Sequence, residues 1–302
     1  MSNNYVIETE DLTKFYGTAR GIEGVNLQVR QGEVFGFLGP NGAGKTTTMR
    51  ILLDMLRPTR GHARVFGLDA QAQSVEIRKR VGNLPGDAAL YDTLKGEDML
   101  RLLGSFRPPD GTRRMKELAE RLNLDLSRTV RAYSRGMKQK LSIIQAFMHD
   151  PELLVLDEPT LGLDPLVQRD FYAFLNEEKE RGKTIFLSSH ILSEVERACD
   201  RVGIIRDGNL VVVEWLEALK RKKARKLEIR LTEYVPDERL QLPGAELIRR
   251  NGMEAEFTVR GEIVSLLKVL IALPVEEVTF PEPTLEDAFM EYYQAVPEAA
   301  AE

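Results

Sequence analysis

The run Gly39-Pro40-Asn41-Gly42-Ala43-Gly44-Lys45-Thr46-Thr47 sets three conformationally permissive glycines beside a cation and two hydroxyls. Glycines at 39, 42 and 44 let the backbone wrap closely round a phosphate chain and turn its N–H groups inward. A helix that starts near Gly44 adds its positive dipole end to the same place. Lys45 supplies the charge that bridges the β- and γ-phosphates of a nucleotide, and the Thr46 hydroxyl is a ligand for Mg²⁺. The chemistry these residues suit is binding of a Mg²⁺–nucleoside triphosphate.

Three further groups extend that chemistry. Asp157 and Glu158 follow four apolar residues, Leu153 to Leu156, so two carboxylates stand at the end of a short buried run. The first is placed to meet Mg²⁺, and the second to polarise an attacking water as a general base. His190 closes a similar run, Thr184 to Ser189, which places it to donate a hydrogen bond to a γ-phosphate if the two runs are neighbouring strands. Finally, Tyr133-Ser134-Arg135-Gly136-Met137 precedes the helical pattern Lys138 to Met148. Ser134 there is either a simple helix cap or, with the Gly136 N–H and the helix end, a second anion site. Two anion sites with one metal centre suit a head-to-tail two-fold dimer, in which each subunit lends its second site to the other.

These residues need elements to hold them. Val34 to Leu38 runs straight into the glycine loop, and Lys45 to Met55 has helical character. Short β-type runs alternate with helical patterns over most of the chain, as in an α/β fold with a buried, largely parallel sheet. Strand signals stop between about Ala88 and Asp150, where amphipathic segments such as Lys95 to Phe106 and Arg114 to Leu122 predict an inserted helical subdomain. After Leu210 to Val213 comes Lys220-Arg221-Lys222-Lys223-Ala224-Arg225-Lys226, a solvated linker or helix end, or else a contact for an anionic membrane face. It divides a large domain, 1–220, from a small α+β domain, 221–302. Strands at Leu227 to Leu231 and Ala255 to Val259 and helices at Glu262 to Leu273 and Thr284 to Tyr293 are expected in the latter, with a frayed tail after Pro297.

Composition narrows the partners. With 42 Lys+Arg against 47 Asp+Glu in 302 residues there is no basic field of the kind that draws a protein onto nucleic acid, so no nucleic-acid partner is expected. A single cysteine, Cys199, cannot form an internal disulfide, which suits a reducing cytoplasm. The N-terminus has no signal-peptide pattern, and no stretch approaches the ~20 apolar residues of a membrane span. The chain is expected to be soluble, so any role in transport requires a separate membrane chain.

The order of these motifs, with Leu163-Asp164 between Glu158 and His190, resembles an ABC ATPase over about Tyr5 to Val213. P-loop GTPases and kinases lack the serine-glycine signature upstream of the carboxylate pair. The resemblance implies a P-loop NTPase core of the ABC type, with ATP and Mg²⁺ bound and ATP hydrolysed. Tyr16 falls where the family places an aromatic that stacks on adenine. Leu161-Gly162-Leu163-Asp164-Pro165 resembles the loop that touches the facing subunit. Tyr-Ser-x-Gly-Met-Lys, with Pro283 to Phe289, is similar to ATP-binding subunits of ABC-2-type exporters, including drug-resistance ATPases. That subgroup implies an integral membrane permease partner and a second ATPase subunit, a homodimer being favoured over a heterodimer. It also implies a cytoplasmic position, peripheral on the inner face of the cell membrane. The alternative is a soluble ABC ATPase or nucleotide-dependent regulator uncoupled from transport. Two departures stand out: Arg135 replaces a usual glycine of the signature, and Gly86-Asp87 stands where a Gln or Glu is expected after Leu84-Pro85. Asp87 is the remaining side chain there that can meet Mg²⁺.

Overall fold

A computed structural model describes residues 4–106, 111–221, 225–260 and 263–281. The chain divides into two compact units between Trp215 and Leu216, ahead of the expected boundary at residue 220. In the first unit the order is β1 (Tyr5–Tyr16), β2 (Ala19–Val25), β3 (Gln28–Arg30), β4 (Val34–Leu38), α1 (Lys45–Leu52), β5 (Arg60–Val65), β6 (Leu68–Asp69), α2 (Ser74–Arg80) and β7 (Val81–Leu84). Then follow α3 (Gly96–Gly104), α4 (Thr112–Arg121), α5 (Arg135–Phe147), β8 (Leu153–Asp157), α6 (Pro165–Glu180), β9 (Thr184–Ser189), α7 (Leu192–Ala198), β10 (Arg201–Arg206) and β11 (Asn209–Trp215).

The site is carried by a six-stranded sheet in the order β11-β10-β4-β9-β8-β7. All its strands are parallel except β11, which pairs antiparallel with β10 at the edge. Every residue of β4, β8 and β9 is buried, which is why these strands read as unbroken apolar runs and not as alternations. Phe35 and Phe37 of β4 pack on Phe186 of β9 with ring centroids 5.9 and 5.5 Å apart, locking the two strands that deliver the loop and the histidine. Parallel strands place their C-terminal ends along one rim of the sheet, and ligands of such sheets bind outside that rim.

A second sheet, antiparallel and ordered β2-β1-β5-β6 with β3 also on β1, was not expected from the sequence. Its apolar residues, among them Ile7, Leu12, Ile22 and Val65, share one core with Phe35, Phe37 and α1. Between β7 and β8 the described residues form α3, α4 and α5 with a 3-10 turn at Val130–Ala132 and no strand. Met99, Leu100, Met115, Leu118 and Leu141 are buried where these helices meet. Among the described residues no helix is long and apolar enough to cross a membrane.

The second unit holds α8 (Leu216–Arg221), β12 (Arg225–Leu231), β13 (Ala245–Asn251), β14 (Glu254–Val259), α9 (Ile263–Leu270) and β15 (Val275–Thr279). Its antiparallel sheet runs β13-β14-β12-β15, and Leu227, Ile229, Phe257, Leu266 and Leu270 form a separate core. The strands β13 and β15 add to the two expected there. The expected helix Thr284 to Tyr293, the tail after Pro297 and Lys222 to Ala224 of the charged run lie outside the described residues.

Candidate functional site

The glycine loop leaves β4 at Leu38 and enters α1 at Lys45, as its spacing requires. Gly44 has φ 109°, and a Cβ there would come within 2.4 Å of Ile22 Cγ2, so only glycine fits this turn. Gly39 is fixed for another reason: a Cβ would meet Ile205 O at 2.3 Å on the neighbouring strand. Pro40 O accepts from the Ala43 N–H at 3.2 Å and so tightens the loop. Lys45 is 6% exposed, and its Nζ donates to Gly39 O at 2.6 Å and Pro40 O at 3.1 Å. The loop thus encloses its own cation.

Asp157 and Glu158 sit at the end of β8, where one registers with Ser188 of β9. Thr46 Oγ1 donates to Asp157 Oδ2 at 2.7 Å, and Ser188 Oγ donates to Oδ1 at 2.5 Å. Glu158 has φ 48°, a left-handed conformation that costs a non-glycine residue about 1–3 kcal/mol and gathers at functional sites. Its Oε2 meets His190 Nδ1 at 2.8 Å, while Oε1 lies 3.4 Å from Lys45 Nζ. Buried Oε1 receives no hydrogen bond from the described residues. A buried carboxylate oxygen with an unfilled lone pair can accept a hydrogen bond and so orient a water. Thr46 and Asp157 offer the hard oxygen donors that Mg²⁺ prefers.

Lys45, Thr46, Asp157 and Glu158 line one cleft of about 310 Å³ with Asn41, Gly42, Thr47 and Asp87, and His190 meets it only through Glu158. Tyr16 is 48% exposed, which excludes a core role, and its Oη lies 3.3 Å from Thr47 Oγ1 at the head of α1. Ser134, Arg135 and Gly136 do not line this cleft. Ser134 caps α5, accepting from Met137 N at 3.3 Å. Gly136 packs on the run after Glu158, where a Cβ would come 3.0 Å from Gly162 O. Within one chain, therefore, Ser134 and Gly136 stay apart from this cleft.

Sequence reasoning missed Ser188, Thr160, Ser189 and Glu194. Isolated polar residues at strand and helix ends read as caps, and only the pairing of β8 with β9 reveals that they converge. It also missed Arg50, a further cation lining the cleft. Burial pushes the Tyr172 phenol up, and the nearby Glu194 carboxylate adds to the rise. Cys199 needs no functional reading: it is buried, and burial raises its thiol well above the usual range, which removes the thiolate that reactivity requires.

Comparison with known proteins agrees with this geometry. Residues 22–161 match the family described as ABC transporter. The bacitracin transport ATP-binding protein BcrA of Bacillus licheniformis is 35% identical over 295 residues, covering 94% of this chain and 96% of the relative. Its counterpart in Enterococcus faecalis is 37% identical over 265 residues, covering 86% and 83%. A solved ATP-binding subunit of an ABC transporter superposes with TM-score 0.67 at 33% identity, over 72% of this chain and 92% of that one. With such identity over nearly the whole length of both chains, the chain belongs to the ABC transporter family, as one of its ATP-binding, ATP-hydrolysing subunits.

Proposed function

We propose that this chain drives export through a separate integral membrane permease, closing as a dimer on two ATP molecules and reopening when they are hydrolysed. The observation that carries this reading is the division of labour within one chain. Lys45, Thr46, Asp157 and Glu158 line one cleft and His190 is bonded to it through Glu158, whereas Ser134 and Gly136 neither line it nor bond to these residues. A second copy turned head to tail would lend its Ser134 and Gly136 to the γ-phosphate. A homodimer is the simpler assembly, because the chain carries both halves.

Within the cleft, the backbone N–H groups from Asn41 to Thr46, with Gly39 and Pro40 shaping the turn, cradle the phosphates. Lys45 exchanges its loop carbonyls for phosphate oxygens. Tyr16 stacks on adenine, its hydroxyl steadied by Thr47. Thr46, Asp157 and, from the loop after β7, Asp87 would hold Mg²⁺, which neutralises the phosphate charge. Glu158 Oε1 takes the proton of the attacking water, and His190 fixes Glu158 through Oε2 and offers its other nitrogen to the γ-phosphate. ATP performs work because it binds the closed dimer more tightly than the open monomers, and hydrolysis removes that difference.

The helical insertion and the loop from Gly86 to Leu94 would pass the movement to the permease. A groove of about 600 Å³ between Ala88, Leu90, Tyr133, Lys138 and Leu161 offers a cytoplasmic loop of that partner a seat. This fits a chain stationed on the inner face of the cell membrane. Named bacitracin transport in two relatives favours drug export as the task.

Glu158→Gln tests the core of this reading. It should leave ATP affinity intact, lower hydrolysis by roughly 10²–10⁴-fold and accumulate an ATP-bound dimer visible by light scattering. Hydrolysis near the parent rate would remove Glu158 as the base. Co-purification from solubilised membranes tests the permease: recovery of the chain with no integral protein attached would favour a role apart from transport.

A further inference from the structure

Glu194, on α7, is 7% exposed and bonded to two hydroxyls, with the Tyr172 phenol also beside it. Thr160 Oγ1 donates to its Oε1 at 2.5 Å, and Ser189 Oγ donates to its Oε2 at 2.6 Å. Among the described residues it has no ion-pair partner. A carboxylate taken out of water without a cation is destabilising by several kcal/mol unless hydrogen bonds replace its hydration. As a core filler, Glu194 is therefore a poor choice.

The two hydroxyls belong to different segments, Thr160 to the loop after β8 and Ser189 to the last position of β9, each close to the chemistry. Thr160 follows Glu158 by two residues, and Ser189 directly precedes His190. Ser189 Oγ also accepts from Ile191 N at 3.0 Å, which fixes the turn carrying the histidine. His190 Nδ1 in turn meets Glu158 Oε2 at 2.8 Å. Covalent links and hydrogen bonds thus close a ring that runs Glu158, Pro159, Thr160, Glu194, Ser189, His190 and back to Glu158. Glu158 holds its left-handed φ of 48° inside that ring. Strain of this kind persists only where surrounding contacts over-determine the backbone.

We propose that Glu194 is a positioning residue, tying the loop after β8 to the loop after β9 so that Glu158 and His190 stay in register for turnover. The inference rests on the reading of Glu158 as the base. Glu194 lines neither the phosphate loop nor the cleft, so it acts on turnover and not on ATP binding. Thr160 opens the run that ends at Asp164, the α6 cap, whose Oδ1 accepts from Leu166 N and Val167 N at 3.1 Å. The ring consequently passes any movement of that run to the catalytic pair.

The test compares Glu194→Gln, Ser189→Ala and their combination in the full chain. Glutamine keeps the volume and one acceptor oxygen but puts an N–H₂ where the other hydroxyl must donate. Each single change should lower kcat for ATP about tenfold, roughly 1.4 kcal/mol of barrier. KM and calorimetric ATP affinity should stay within about twofold, and the double variant should be no slower than the worse single one, as expected for residues in one network. Amide hydrogen exchange should quicken over 158–164 and 188–192 and stay unchanged in α1. Full kcat in Glu194→Gln, additive losses, or exchange rising across the whole parallel sheet would each overturn the proposal. Should Glu194→Gln fail to fold, Ser189→Ala with Thr160→Val decides by the same kcat-against-KM split. Glu158→Gln is the control. Parent-level hydrolysis there removes the base assignment itself, whereas its collapse beside full activity in Glu194→Gln removes only the positioning role.

Discussion

Gly86 lies directly against Asp157: a Cβ built on it would sit 3.4 Å from Asp157 Oδ2, an ordinary van der Waals distance. Its φ is not in the left-handed region, so the backbone accepts a side chain there. The ABC pattern expects a Gln or Glu at this turn, and here the position beside Asp157 carries no side chain. Gly86→Gln should therefore extend an amide oxygen to the site proposed for Mg²⁺. We expect the Mg²⁺ concentration for half-maximal ATP hydrolysis to fall by about three- to tenfold, on the scale of 1.4 kcal/mol per decade. An unchanged Mg²⁺ titration would mean that Asp87 or water already completes the site.

The Lys45 ammonium holds the loop carbonyls of Gly39 and Pro40 and faces Glu158 Oε1 at 3.4 Å. Truncation to Ala leaves those acceptors buried and removes the charge that phosphates seek. Losing one partner of a buried charged contact costs about 2–5 kcal/mol. Lys45→Ala should weaken ATP binding by about two orders of magnitude or more in calorimetry, and unchanged affinity would exclude the assigned role.

What the sequence made legible follows a physical rule. Lys45 was readable from the glycine spacing before it, and Asp157 and His190 because each follows a short apolar run, the mark of a fully buried parallel strand. The pairing of Asp157 with Ser188 follows from β8 lying beside β9, a fact about three-dimensional order that no single run contains. Thr160, Ser189 and Glu194 were hidden for that reason. The antiparallel sheet was hidden for another. Strand β1 changes register near Asp11, which has φ 47°, and the breaks at Glu10/Thr13 and Leu12/Lys14 interrupt the two-residue alternation that would have announced it. Ser134 was readable as a cap, and the structure keeps it one, apart from the cleft.

Gly36 decides how closely α7 approaches the strand that carries the glycine loop. A Cβ on Gly36 would lie 2.8 Å from Cys199 Sγ and 2.9 Å from Val195 Cγ1, both buried, so the helix or the strand would have to move. Overpacking of this kind costs about 1–3 kcal/mol. Gly36→Ala should lower Tm by roughly 2–4 °C for each kcal/mol lost in a unit of this size. Adding Cys199→Ala removes one of the two close contacts, so the double variant should recover part of that loss while Val195 retains the rest. Independent, additive Tm changes would argue against the contact. The same packing keeps the thiol out of solution: burial holds it protonated, and a disulfide reagent should label Cys199 only at the rate of unfolding. Rapid labelling of the native chain would show that α7 lifts from β4 far more readily than its packing allows. Since α7 also bears Glu194, that lifting would loosen the loops around His190 along with it.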